Sequence, residues 1–494
     1  MFSLSYNQFS RNISALQSLT LLESLDLSSN QFYGNISALE TLTSLQLLDI
    51  SNNKFHILCS LKPLFNLSKL KYLYADNNTI HTDDHEMPHS SAPRFQLTSI
   101  SLSCYGRVGS FPRFLYHRSE LQDVTLSGIY FKVDRFPFWL VENNTESRLE
   151  ALDVNRNQLF GRLPQWRGNA SNLAQVSMAD KRLKGSIPRA ICNLNLKLKL
   201  LDLSNNSLSG TLPSCFKPVS VREVHLSRNM LQGPLPNAFR DSSSLVTLDI
   251  SYNHLKGNIL NWIINLYELS YLLLKRNHFE DEIPIQLCKL DRLSLIDLSQ
   301  NNLSDGIPSC LKVYAVNYVT EQYIRHQTIY TKKTIFRSIE VPIEYTVKSK
   351  SYNYKRRMLQ YMYGIDLSCN KLTGEISFET KNSMKLFTLN LSHNSFIGPV
   401  PRAFSNLKDM ESLDLSYNNL IGNIPAKFAV LHFLEYFNVS YNNLSGKTPE
   451  RIGQLGAFDE NSYVGNPFFC GSLVGKNCSC RSNYACSPYT LLIF

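Results

Sequence analysis

Leu201-Asp202-Leu203-Ser204-Asn205-Asn206-Ser207-Leu208-Ser209-Gly210-Thr211-Leu212-Pro213 carries a pattern that keeps returning along the chain. Leu25-Asp26-Leu27-Ser28-Ser29-Asn30 and Leu413-Asp414-Leu415-Ser416-Tyr417-Asn418 repeat its first half. Gly185-Ser186-Ile187-Pro188 and Gly422-Asn423-Ile424-Pro425 repeat its second half. Indexed by the Asn, the copies fall at 7, 30, 53, 78, 105, 129, 157, 181, 206, 229, 253, 277, 301, 370, 394, 418 and 442, mostly 23 to 25 residues apart. Fourteen of these 17 positions carry Asn, while Tyr105, Ile129 and Lys181 keep only the flanking pattern. A period of this length marks a solenoid, whose units bury their apolar faces only against their neighbours.

Each part of the template has a physical task. Leu-x-Leu is a short strand with one buried face, and the residue between the leucines is expected to face solvent. The Asn stands in the turn that ends the strand. There it can bond backbone groups of adjacent coils that the turn would otherwise orphan. Of the 494 residues 43% are apolar and 18% charged, which excludes a disordered chain. No run of 18 apolar residues reads as a membrane span, and the N-terminus has no basic and apolar leader pattern.

The repeat is interrupted once. Index positions 301 and 370 are 69 residues apart, and the excess, Lys312 to Tyr361, holds 10 Lys/Arg against 3 Asp/Glu, or +7 of the net charge of +10. It also holds 8 of the 25 tyrosines: Tyr314, Tyr318, Tyr323, Tyr330, Tyr345, Tyr352, Tyr354 and Tyr361. Ile339 to Val347 alternates like a strand. A long insertion rich in tyrosine points to a contact-making surface.

The string L-x-L-S-x-N-x-L-x-G-x-I-P resembles the plant-specific leucine-rich repeat over residues 1 to about 450. The island followed by four repeats resembles plant receptor-like proteins. The resemblance implies an α/β, β-rich, right-handed leucine-rich-repeat horseshoe of plant-specific type with one non-repeat island. The expected layout is 1–311, about 13 repeats starting mid-repeat; 312–361, a basic, Tyr-rich island; 362–460, the last four repeats; 461–480, a C-terminal cysteine cap; and 481–494, a tail. Gly465-Asn466-Pro467-Phe468-Phe469-Cys470 with Cys478 resembles the family's C-terminal disulfide cap. Against that family the chain reads as a fragment or truncated product.

The other cysteines pair by recurrence. Cys192 lies four residues after Pro188 and Cys215 two after Pro213; Cys288 and Cys310 repeat these offsets from Pro284 and Pro308. Bridges Cys192–Cys215 and Cys288–Cys310 between adjacent coils are expected, implying an oxidising compartment. Twelve Asn-x-Ser/Thr sequons agree: Asn12, Asn35, Asn66, Asn77, Asn143, Asn169, Asn205, Asn302, Asn390, Asn438, Asn443 and Asn477. Asn390 and Asn438 fall inside strands and are expected to project glycans from the concave sheet. Cys478, Cys480 and Cys486 lack a second pair at zinc spacing, so no metal is expected. Cys59, Cys104, Cys369, Cys480 and Cys486 remain unassigned.

No phosphate-binding loop, kinase signature or His-Glu-x-x-His appears, and neither an enzyme nor a cofactor is expected. Asp83, Asp84, His85 and His89 read as a solvated loop. Arg222, His225, Arg228, Tyr252, Tyr271, Lys275 and Arg276 are expected to form a basic, aromatic patch on the concave face, suited to a carboxylate. Tyr352, Tyr354, Lys355, Arg356 and Arg357 are the island's expected recognition residues. The resemblance implies a cell-surface sensor in defence or development, on the extracellular side of the plasma membrane. It would bind a peptide or microbial-pattern ligand and signal through a leucine-rich-repeat receptor kinase adaptor and co-receptor, with no nucleic acid. The alternatives are a secreted inhibitor of cell-wall hydrolases, which the island argues against, and a non-functional truncated paralogue.

Overall fold

The computed structural model describes residues 1–81, 93–104, 111–116, 120–129, 131, 137–142, 148–166, 172–180, 182–235, 237–313, 339–377, 385–449 and 453–478. They fall into two compact units. One comprises Met1–Leu255, Asn265–Leu269 and Tyr318–Val341; the other comprises Lys256–Ile264, Ser270–Asn317 and Pro342–Phe494.

In the first unit a three-residue strand recurs coil by coil, from Ser24–Asp26 to Thr247–Asp249, in parallel pairing. The register stacks like on like: Leu25 opposite Leu48, Asp26 opposite Asp49. Leu25, Leu48, Leu201 and Leu248 are fully buried, as a period-2 strand with one inward face requires. The residue between the leucines does not face solvent as expected. Asp153, Asp202 and Asp249 are buried, because strands ~4.8 Å apart wall each carboxylate between its neighbours' side chains. The carboxylate is also occupied. Oδ1 of Asp202 accepts the Ser204 N–H at 3.1 Å and the Ser204 hydroxyl at 2.6 Å, which explains the Asp-x-Ser spacing.

The Asn joins coils in both units. Asn53 donates to the Leu27 carbonyl of the preceding coil at 2.9 Å and to Ile50 and Ser51 of its own at 3.1 Å. Its Oδ1 accepts the Phe32 N–H at 3.0 Å. Asn418 does the same with Leu391, Leu415, Ser416 and Phe396. The residue before the Asn turns through the left-handed region, with φ from 52° to 55° at Ser29, Asn205, Tyr252 and Tyr417.

One index position is corrected and one coil is added. Cys104, not Tyr105, fills the Asn place: its Sγ stands 3.1 Å from the Ala75 carbonyl, the acceptor an Asn would use there. A small polarizable thiol keeps one of the amide's bonds. After Asn442 a further coil is closed by Asn466, which donates to Val439 and Tyr463 and accepts from the Leu444 N–H at 3.0 Å. There Phe468-Phe469-Cys470 stands where the template has Leu-x-Gly. Lys181 lies outside the described residues.

The second half of the template turns each coil back. Gly185 and Gly210 take φ of 87° and 78°, a conformation that costs glycine little. Ile187 is buried, and extended Pro188 opens the short 3-10 helix Arg189–Leu194.

In the second unit the strands Tyr271–Leu273, Leu295–Asp297, Gly364–Asp366, Thr388–Asn390, Ser412–Asp414 and Tyr436–Asn438 pair in parallel. The strands on either side of the insertion are direct neighbours, with Ile296 opposite Ile365. Of the island, residues 314–338 lie outside the described residues, with Tyr314, Tyr318, Tyr323 and Tyr330. The rest is an antiparallel hairpin, Ile343–Val347 with Lys350–Tyr354, followed by one helical turn, Arg356–Leu359. Its two-residue turn, Lys348-Ser349, has φ of 51° and 61°, as a tight hairpin demands. Disulfides join Cys192–Cys215, Cys288–Cys310 and Cys470–Cys478, with Cα separations of 5.7, 5.5 and 5.1 Å.

Candidate recognition surface

The patch read along the sequence divides between the two units. In the first, Arg228 is exposed, and its guanidinium carbon lies 4.1 Å from the Tyr252 ring centroid, a cation–π contact. Arg222 is half-buried. His225 is corrected: it is buried at 1% exposure and offers a ligand no surface. It occupies the strand position that Asp fills in neighbouring coils, so Asp202 and Asp249 flank it in the register. Its Nε2 stands 3.6 Å from Glu223, beyond hydrogen-bond reach. Burial lowers the imidazole's proton affinity, but Glu223, Asp202 and Asp249 outweigh it and hold the pKa above the ordinary value.

In the second unit Arg276 is exposed, but Lys275 is corrected for a different reason. It is buried at 8% exposure, donating to the hydroxyl of Thr346 in the island hairpin at 2.8 Å and standing 3.9 Å from Asp297. Tyr271 packs against the same hairpin. The island itself therefore covers this part of the expected patch.

The hairpin is fixed by groups the sequence reading passed over. Ile343, Tyr345 and Leu359 form a buried cluster with Leu273 and Leu295 of the strands. Gly364 makes room for Tyr345, since a Cβ there would overlap the tyrosine hydroxyl and Thr388. At the turn, Lys348 donates to Glu411 at 2.9 Å and Glu435 at 2.5 Å, and the Ser349 hydroxyl donates to that of Tyr436 at 2.8 Å. Desolvation lowers the Lys348 pKa, but the hydrogen bonds and charges of Glu435 and Glu411 together raise it above the ordinary value. Beneath the hairpin, burial and the like charge of Asp366 push the Asp297 carboxyl up to about 7, against Lys275.

What the hairpin leaves outside is tyrosine and basic. Tyr352 is 50% exposed, with its ring centroid 6.1 Å from that of the half-buried Tyr354. Lys355 and Arg357 are exposed, and Arg356 opens the helical turn. Farther along, the residues preceding successive Asn positions form a ladder of stacked rings. His393 lies on Tyr417 at 4.1 Å and Tyr417 on Tyr441 at 4.3 Å between centroids. Tyr417 and Tyr441 remain exposed, at 43% and 46%. Reading the column before Asn through the last repeats would have found this ladder.

Asn12, Asn35, Asn66, Asn77, Asn205, Asn443 and Asn477 are exposed, and Asn302 is half-buried. Asn143 and Asn169 lie outside the described residues. Asn390 and Asn438 stand at the strand position that Asp fills in other coils. Both are half-buried, and their Oδ1 atoms cap the Ser392 and Ser440 N–H groups as the repeat's Asp does elsewhere. Cys59 is buried and Cys369 exposed, whereas Cys480 and Cys486 lie outside the described residues, as do Asp83, Asp84, His85 and His89. Among the described residues no three His, Cys, Asp or Glu converge on a metal position, and no helix is long and apolar enough to cross a membrane.

In-register Leu and Asp columns, an Asn bridge between coils and a Gly-x-Ile-Pro return define a β-rich leucine-rich-repeat solenoid. The leucine-rich-repeat family model matches residues 196–255 and 384–444. In sequence the chain is similar to plant receptor-like proteins. It is 33% identical to receptor-like protein 13 of Arabidopsis thaliana over 181 residues, 32% of this chain and 16% of that protein. It is 67% identical to Cuscuta receptor 1 of Solanum lycopersicum over 140 residues, 28% of this chain and 12% of that protein. These matches span less than a fifth of the relatives' own lengths. In fold it resembles the Arabidopsis receptor kinase HAESA, solved in complex with the peptide hormone IDA and the co-receptor SERK1. That likeness has a TM-score of 0.57 at 24% identity and covers 96% of this chain and 78% of that one.

Proposed function

We propose that the chain is the recognition portion of a cell-surface receptor-like protein, which binds a peptide or microbial-pattern ligand and signals through partner receptor kinases in defence or development. One observation carries the reading: a hairpin clamped at its core by Tyr345 and at its turn by Lys348 holds a tyrosine and basic edge outward. A rigid edge of this composition suits a protein or peptide partner, because tyrosine supplies contact area at low entropic cost and Arg pairs bidentately with carboxylates. The ligand lies along Tyr352, Tyr354, Lys355 and Arg357, with the exposed Arg276 as a further carboxylate contact. The flat ring ladder His393, Tyr417 and Tyr441 offers a partner kinase ectodomain a separate face. The similarity to receptor-like proteins and the fold shared with a peptide-hormone receptor support the assignment.

The test displays the chain on plant cells and measures association with leucine-rich-repeat receptor kinases during exposure to plant and microbial peptide fractions. Ligand-dependent association is expected. Charge reversal of Lys355, Arg356 and Arg357 should weaken it and reduce its salt sensitivity. A folded, surface-displayed chain that never associates with a receptor kinase removes the proposal, and normal association of the reversed chain removes the basic run from it.

A further inference from the structure

In the first unit, His56 and His81 come from strands of adjacent coils, Lys54–Leu58 and Thr79–His81. The strands pair in parallel, with His56 opposite Thr79 and Leu58 opposite His81. Along Lys54–Leu58 buried and exposed residues alternate, so His56 shares the outer face with Lys54 and Leu58. His81 is exposed on the same side. His56 Nδ1 lies 2.9 Å from His81 Nε2, with ring centroids 5.2 Å apart and planes inclined by 35°.

Two facing imidazole nitrogens share either a proton or a metal ion. With metal–nitrogen bonds of ~2.05 Å, adjacent ligands stand ~2.9 Å apart in a square-planar site and ~3.3 Å apart in a tetrahedral one. The observed separation is that of the square-planar edge. Square-planar nitrogen and oxygen coordination is the preference of Cu(II) and Ni(II), and imidazole suits both. Exposed rings can turn their nitrogens toward a common point outside the sheet, and water completes the coordination. Neighbouring coils hold the two backbones in register, so binding needs only rotation of the two side chains.

We propose that His56 and His81 form a surface site for a square-planar divalent transition ion, Cu(II) or Ni(II). Asp83, Asp84, His85, Glu86 and His89 follow in sequence but lie outside the described residues, and the proposal rests on the pair alone.

The probe is Cu(II), added to the full chain carrying Asn35→Gln, since Asn35 lies opposite His56 and a sugar there would cover the site. Electron paramagnetic resonance reads the number of nitrogens bound to the first equivalent of copper, and a competing chelator gives its affinity. Two imidazole nitrogens are expected. His56→Ala and His81→Ala should each remove one and weaken binding about tenfold or more. Thr79→His, which adds a donor opposite His56, should tighten binding and add a nitrogen. If either alanine variant binds the first equivalent with unchanged affinity and nitrogen count, or if Thr79→His changes neither quantity, the pair is an ordinary hydrogen-bonded couple and the proposal falls.

Discussion

Tyr345 occupies the space that Gly364 leaves empty: a side chain on residue 364 would overlap its hydroxyl, so the two residues fix where the hairpin lies on the strands. The ring is buried, yet its hydroxyl has no hydrogen-bond partner among the described residues. Such an orphan costs roughly 1–3 kcal/mol. The aromatic ring therefore holds the hairpin, and the hydroxyl opposes it.

Two substitutions separate these effects. Tyr345→Phe should leave the hairpin seated and raise stability by about 1 kcal/mol. Gly364→Val should displace the hairpin and lower stability by about 1–3 kcal/mol. Denaturant midpoints and trypsin cleavage at Lys355–Arg357 read both. Faster cleavage in Tyr345→Phe, or none in Gly364→Val, would contradict the arrangement.

Lys348 fastens the hairpin's turn. Lys348→Glu places a like charge against Glu411 and Glu435, and amide exchange across 343–354 should quicken while the repeats keep their protection. The cost should stay small, about 0–1 kcal/mol for each exposed pair, and should shrink with added salt. Exchange as slow as in the parent chain would show that the turn contacts contribute nothing.

Stability should fall as pH rises from 5 to 8. Burial and Glu150 push Asp123 up to about 7, and burial with Asp366 does the same for Asp297. Each carboxyl keeps its proton when folded over a range where an unfolded Asp, at ~3.9, has lost it. Their stabilisation is complete below that value and disappears as pH rises through about 7. His225, its pKa also raised, acts in the same direction. Asp297→Asn should flatten part of the slope, and thermal midpoints that rise between pH 5 and 8 would exclude this account.

The thiols should differ sharply. Burial, with a smaller contribution from Asp76, pushes Cys104 up to about 12, so native protein at pH 8 should not be alkylated there. Cys369 is exposed, and although burial raises its pKa too, it should label before Cys104. Iodoacetamide mapping before and after unfolding tests this. Rapid native labelling of Cys104 would deny it the Asn position, into which Cys104→Asn should fit without loss of stability.

The solenoid was legible along the chain. Leu-x-Leu, Asn and Gly-x-Ile-Pro each act within one coil or between adjacent coils, so a 24-residue period carries nearly all the information. Cys192 with Cys215 and Cys288 with Cys310 were legible because stacking brings equal template offsets together. Which surface residues stay exposed depends instead on contacts made across the folded chain. His225 is buried because side chains from flanking strands close over it, and Lys275 because a hairpin 71 residues away in sequence lies on it. No local pattern encodes those distances. The same holds for Tyr345 on Gly364, Lys348 between Glu411 and Glu435, and His56 against His81. In each, ordinary residues gain their roles from partners that only the stacking of coils brings within reach.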